Sequence, residues 1–104
     1  MTAPRAVSVV IPTWQRPQLV SRAVRSVLEQ TFTDFEIVVV VDGRDADTTD
    51  ALRDLRDDRL RVHIPERHLG NADARNRGVA LAGASHVAFL DDDDLWLPEK
   101  LQRQ

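Results

Sequence analysis

The chain alternates between short apolar runs and stretches in which apolar residues recur every three or four positions. Ala6-Val7-Ser8-Val9-Val10-Ile11 is rich in β-branched residues and reads as a buried strand stopped by Pro12. From Pro17 to about Gln30, the residues Val20, Ala23, Val24, Val27 and Leu28 keep helical spacing, with Pro17 suited to a first helical turn. Phe35-Glu36-Ile37-Val38-Val39-Val40-Val41 is apolar on both faces, as expected of a central strand in a parallel sheet, and Asp42-Gly43 breaks it. Asp47-Thr48-Thr49-Asp50 offers capping side chains for a second helix, which is expected to run to about Asp57. A short, half-polar strand, Leu60–Ile64, ends at Pro65. Gly70-Asn71 marks a turn into a third helix over Asn71–Ala84, with Ala74, Val79 and Ala82 available for packing. His86–Leu90 is the fourth strand and runs into Asp91-Asp92-Asp93-Asp94; Pro98 is placed to open a last, short helix. The order β-α-β-α-β-α-β predicts an α/β fold with right-handed crossovers and an open, mostly parallel, Rossmann-like sheet.

Composition narrows the class. With 104 residues the chain is a single domain with one core, burying roughly 65% of the surface its unfolded form exposes. Fourteen Lys+Arg against seventeen Asp+Glu give a net charge of −3, which excludes a strongly basic nucleic-acid binder. The absence of cysteine excludes disulfides, thiolate metal sites and cysteine nucleophiles. No apolar run approaches the ~20 residues of a membrane helix, and the N-terminus does not read as a secretion signal. The expectation is a soluble, cytoplasmic protein with no membrane span, peripheral membrane association being left open.

Ligands of open α/β sheets bind beyond the carboxyl ends of the strands. Those ends carry Pro12-Thr13-Trp14, Asp42-Gly43, Pro65-Glu66-Arg67 and the aspartates. Neither G-x-G-x-x-G after a strand nor G-x-x-x-x-G-K-[ST] is present, which argues against a nicotinamide-binding Rossmann protein and a P-loop NTPase. Adjacent carboxylates repel, and a divalent cation relieves that repulsion. In an extended segment Asp91 and Asp93 face one side and Asp92 the other, unless the chain turns there. Their hard oxygens suit Mg²⁺ or Mn²⁺; an ordinary solvated acidic loop is the competing reading. Trp14 lies between a strand and a helix, where an indole either stacks on a nucleobase or packs into the core. Asp42 is placed to accept from a base N–H or a ribose hydroxyl, or is simply a turn aspartate. Arg75 is placed to meet a diphosphate, whereas Arg77 is better read as solvated helix face. His63, His68 and His86 lack metal-ligand spacing and read as structural or surface residues.

Taken in order, V-S-V-V-I-P-T-W-Q-R-P, S-V-L-E-Q-T-F-T-D-F-E-I-V-V-V-V-D-G, G-N-A-D-A-R-N-R-G-V-A-L-A and V-A-F-L-D-D-D-D-L-W-L-P-E-K-L resemble family 2 glycosyltransferases of the GT-A fold, collinearly over essentially the whole chain. The resemblance implies transfer of a sugar from a nucleotide-diphosphate donor to an acceptor hydroxyl of a sugar, lipid or other compound, usually with inversion and with Mn²⁺ or Mg²⁺. By the match, Pro12, Thr13, Trp14, Arg16, Asp42, Arg75, Asn76, Asp91 and Asp92 belong to the nucleotide site. Trp14 then stacks near the base and Asp42 bonds the uracil ring, so a UDP-sugar is favoured. Asp91-Asp92-Asp93 match the D-x-D segment: Asp93 is the leading metal ligand, Asp92 lies near the ribose, and Asp91 assists either. Two departures, Val41 where the family commonly has an acid and Trp14 where tyrosine is commoner, leave the base open. The family's domain runs longer than this chain, so the resemblance implies a truncated, donor-binding N-terminal part. It assigns the general base and most of the acceptor site elsewhere, so the chain alone is expected to be inactive. A non-catalytic half-domain that binds a nucleotide sugar or a partner is the alternative. An open edge and an uncovered apolar face would favour self-association. A nucleotidyltransferase would carry a Gly-rich basic loop after the first strand, and a receiver domain would carry acids there; P-T-W-Q-R-P fits neither.

Overall fold

The computed structural model describes residues 5–103. Four parallel strands, β1 (Val7–Thr13), β2 (Phe35–Val41), β3 (Leu60–His63) and β4 (His86–Phe89), form one sheet in the order β3-β2-β1-β4. Helices α1 (Pro17–Leu28), α2 (Ala46–Arg53) and α3 (Asn71–Leu81) supply the crossovers that parallel pairing requires. The open α/β architecture is the one expected from the apolar runs.

β1 runs through Pro12 to Thr13 instead of stopping at Ile11. The reason lies in the ladder. Val10 directs its backbone toward β4, where its carbonyl accepts from Leu90 N–H, so Pro12, two residues on, faces the same side. Pairing with β4 ends at Val10, and the missing N–H of Pro12 therefore has no ladder bond to break. The other boundaries shorten: α1 ends at Leu28, α2 at Arg53, β3 at His63, α3 at Leu81 and β4 at Phe89. The cap of α2 is Asp45, not a residue of 47–50; its carboxylate accepts from the Thr48 hydroxyl at 2.5 Å. The segment from Pro98 makes turns rather than a helix, joined by Lys100 N–H to Leu97 O and Arg103 N–H to Glu99 O. It is docked on the end of α1 by Gln30, a buried amide that donates to Ser26 O and Leu97 O and accepts from Leu101 N–H.

Two layers cover the sheet. Val9, Ile11, Ile37, Val39 and Val41 pack under Val20, Ala23, Val24 and Val27 of α1 and Leu52 of α2. On the opposite face Val38 and Val40 meet Ala74 of α3, with Leu81 at the margin. Val79, expected to pack there, is exposed; the contact is made by Ala74 and Gly78. Gly78 lies so close to β1 that a Cβ would collide with the Val10 side chain. A polar tether holds the far end of the α3 layer. Ser8 donates to Glu36, which also accepts from Gly83 N–H and pairs with Arg61. Burial pushes the Glu36 carboxyl up, but Ser8, Gly83, Arg61 and Ala84 outweigh it and hold it below its ordinary value. Before β3, Arg59 grips Asp57 with two parallel N–H bonds, and this side-chain bond lowers the Asp57 carboxyl to about 2 against a smaller desolvation effect.

Candidate functional site

The strand order reverses at β1, because the chain first winds outward to β3 and then returns to place β4 on the other side. Such a switch point opens a crevice at the carboxyl ends of the strands. A cleft of about 470 Å³ lies there, formed by Pro12–Trp14, Arg16, Asp42, the loop before α3, the first turns of α3 and Asp91–Asp93.

The aspartate run is not extended. Asp94 N–H bonds Asp91 O at 3.1 Å, and the turn sorts the four side chains. Asp92 points inward, only 8% exposed, and accepts from Thr13 Oγ1 at 2.8 Å and Arg16 Nη1 at 3.1 Å. It joins the end of β1 to the turn. Asp91, Asp93 and Asp94 remain exposed, with oxygens within 4.8 Å of one another. Three hard carboxylates at that spacing fit a divalent cation that completes its shell with water and phosphate. Asp94 was not singled out from sequence; the i to i+3 turn that returns it to Asp91 was the signal. Two arginines face the same carboxylates, Arg16 at 3.8 Å from Asp93 and Arg75 at 2.7 Å from Asp91.

At the other end of the cleft Trp14 is 54% exposed, so it is not a core residue. Its ring packs on His68 with centroids 4.8 Å apart and planes tilted by 46°. Asp42 is buried beneath, and its carboxylate accepts from Leu69 N–H at 2.6 Å and Gly70 N–H at 2.9 Å. His68 Nδ1 lies 3.2 Å from the same carboxylate. Gly70, at φ +91°, turns the chain into α3, a conformation that favours glycine. His68 was read from sequence as a surface or structural residue; only the tertiary packing brings it to Trp14. Of the residues proposed from sequence, Pro12, Thr13, Trp14, Arg16, Asp42, Arg75, Asp91, Asp92 and Asp93 line this cleft together. Asn76 does not: it is exposed on α3, outside the lining. His63 instead meets Arg77 on the outer surface, at 3.3 Å.

Residues 8–104 match the family model for glycosyl transferase family 2. The chain belongs to that family. As a family 2 member it is 41% identical over 100 residues to an uncharacterised glycosyltransferase of Nostoc sp., covering 93% of this chain and 31% of that protein. It is 33% identical over 98 residues to the Escherichia coli UDP-Glc:α-D-GlcNAc-diphosphoundecaprenol β-1,3-glucosyltransferase WfgD, covering 94% and 39%. Among solved structures, Staphylococcus aureus TarS 1–349 in complex with UDP-GlcNAc superposes with a TM-score of 0.87 at 28% identity, covering 94% of this chain and 29% of that one. The Pyrobaculum calidifontis mannosyltransferase in complex with GDP-Man and Mn²⁺ gives a TM-score of 0.80 at 27% identity, covering 91% and 29%. The chain thus spans under half the length of each of these proteins, and its sheet is of the GT-A type. No helix among the described residues is long and apolar enough to cross a membrane.

Proposed function

We propose that this chain is the donor-binding and metal-binding part of an inverting glycosyltransferase that moves a sugar from a nucleotide diphosphate, with UDP-sugars favoured, to an acceptor hydroxyl in the cytoplasm. The observation that carries the reading is the cluster of Asp91, Asp93 and Asp94 carboxylates at a cleft that Asp91 and Asp93 line together with Arg16, Arg75 and Trp14. The UDP-Glc specificity in the name of the E. coli relative and the UDP-GlcNAc bound to TarS support a uridine donor; the GDP-Man and Mn²⁺ of the Pyrobaculum enzyme support a divalent cation.

In this reading Trp14 takes the base and Asp91, Asp93 and Asp94 hold Mn²⁺ or Mg²⁺, which as a Lewis acid stabilises charge on the departing diphosphate. Asp92, tied to Thr13 and Arg16, keeps the turn in register with β1, and the resemblance assigns it the ribose. Arg16 and Arg75 pair with carboxylates here and are placed to meet phosphate oxygens once a cation shares those carboxylates. No residue of the chain is assigned the role of general base, so donor binding without turnover is expected. Calorimetric titration of UDP with and without Mn²⁺, alongside Asp93→Asn, tests the reading. Binding that needs the metal and is lost in Asp93→Asn supports it; metal-independent binding, or none, refutes it.

A further inference from the structure

Two guanidinium groups face the acidic turn, and they are held differently. Arg16 Nη1 reaches Asp92 at 3.1 Å and Asp93 at 3.8 Å. Asp92 is buried, bonded also by Thr13, and outside the exposed trio, so Arg16 keeps its anchor whatever Asp93 binds. Arg75 has a single acceptor among the described residues, Asp91, at 2.7 Å from Nη2. Its Nε is buried and unpartnered, and its guanidinium carbon lies 5.6 Å from the centre of the exposed Phe89 ring. A buried donor without an acceptor is unfavourable, and an ion pair between two partly exposed side chains is weak. The Arg75–Asp91 pair is therefore a resting contact that is easily exchanged.

Asp91 is also one of the three carboxylates whose spacing fits a divalent cation. A guanidinium in hydrogen-bond contact takes up one of its oxygens and repels a second cation at the other. We propose that Arg75 is the resident counter-ion of the acidic turn: it neutralises Asp91 in the absence of a divalent cation, competes with the cation for that carboxylate, and is released into the cleft when the cation binds. The proposal rests on the metal- and donor-site reading above and states what sets the cation affinity of that site. Together Arg75 and Arg16 offset the repulsion among carboxylates held within 4.8 Å of one another. The Phe89 ring offers the guanidinium a face to rest on, so release changes its hydrogen-bond partner without moving α3. The sign is the distinguishing feature. Loss of a ligand weakens cation binding, whereas loss of a competitor strengthens it.

Free Mn²⁺ is counted by electron paramagnetic resonance during titration of the wild-type chain, Arg75→Gln and Arg77→Gln, and UDP is then titrated by calorimetry at saturating Mn²⁺. Arg77 lies on the same helix against His63 on the outer surface and controls for the loss of one positive charge. Arg75→Gln is expected to bind Mn²⁺ about three- to fivefold more tightly, the range that a partly exposed ion pair supports, and UDP more weakly. Arg77→Gln is expected to change either affinity by less than about 1.5-fold, its charge being screened. In the wild type, diamagnetic Mg²⁺ is expected to shift the side-chain ¹⁵N signals of Arg75 more than those of Arg16. Unchanged or weaker Mn²⁺ binding by Arg75→Gln, with metal-dependent UDP binding intact in the wild type, overturns the proposal and leaves the donor-site reading standing. Equal tightening in Arg77→Gln assigns the effect to net charge and also overturns it. Failure of the wild type to bind Mn²⁺ overturns both. If Arg75→Gln does not fold, the wild-type Mg²⁺ titration decides: Arg75 signals unmoved at saturation overturn the proposal, and shifted ones support it.

Discussion

On one face of the sheet Ile37, Val39 and Val41 disappear under two helices; on the other, Val38 and Val40 meet little more than Ala74. The α1–α2 face is held by apolar burial. The α3 face is held by a close backbone approach at Gly78 and by hydrogen bonds: Glu36 and Ser8 to the Gly83–Ala84 turn, and Asp42 to the Leu69–Gly70 turn. The helix that carries Arg75 into the cleft is therefore positioned by polar contacts at both of its ends. Apolar packing is insensitive to small rotations, whereas hydrogen bonds are directional. The thick layer sets how stable the chain is, and the thin one sets where the site residues stand.

Ile37→Ala, in the thick layer, should have the largest effect, about 2–5 kcal/mol by chemical denaturation, from lost transfer energy and a residual cavity. Gly78→Ala should cost about 1–3 kcal/mol, because overpacking against the buried Val10 outweighs the gain in helix propensity. A stabilised Gly78→Ala would show that α3 is free to lift and would weaken the contrast. Acid should act mainly on the polar tethers. Glu36 and Asp57 have folded-state values below their ordinary 4.5 and 3.8, so their contribution is complete above about pH 5; that of Asp57 is lost as pH falls through about 2, and that of Glu36 as pH falls below its ordinary value. Glu36→Gln should flatten that part of a melting-temperature profile, while Ile37→Ala should lower the profile without changing its shape. Asp94→Asn should give the smallest stability change, within about 0.5 kcal/mol, since the side chain is exposed. It should nonetheless weaken Mn²⁺ binding in a calorimetric titration by removing one ligand charge.

The thick layer was legible in the sequence because burial leaves a period. β2 falls at Phe35–Val41 as its apolar run requires, and Val20, Ala23, Val24 and Val27 of α1 are all buried. The thin layer was less legible, since α3 packs through Ala74 and Gly78 and shows almost no apolar stripe. Pro12 was misread because whether a strand proline breaks a bond depends on which neighbour its backbone faces, and that is decided by where β4 ends. In the cleft, the carboxyl-end rule and the four matching segments singled out Trp14, Asp42, Arg75 and the aspartates. They did not give the partner of Asp42, because the Asp42–His68 contact spans a sequence gap that no local spacing records. Gln30 was hidden for the same reason: its partners Leu97 and Leu101 are about seventy residues away.

Gln30 also ties the timing of motion at the acidic turn to the interior. β4 anchors that turn on one side, and on the other the chain is fastened to α1 through Leu97 O and Leu101 N–H. Leu101 is itself buried against the α1 layer. Its amide proton is therefore expected to exchange with the slow class of the core rather than with a fraying chain end, which native-state hydrogen exchange checks. The loop that offers Asp91, Asp93 and Asp94 is held at both ends, by the β4 pairing with β1 and by the Gln30 contacts, so less of its chain entropy is left to lose when a cation arrives.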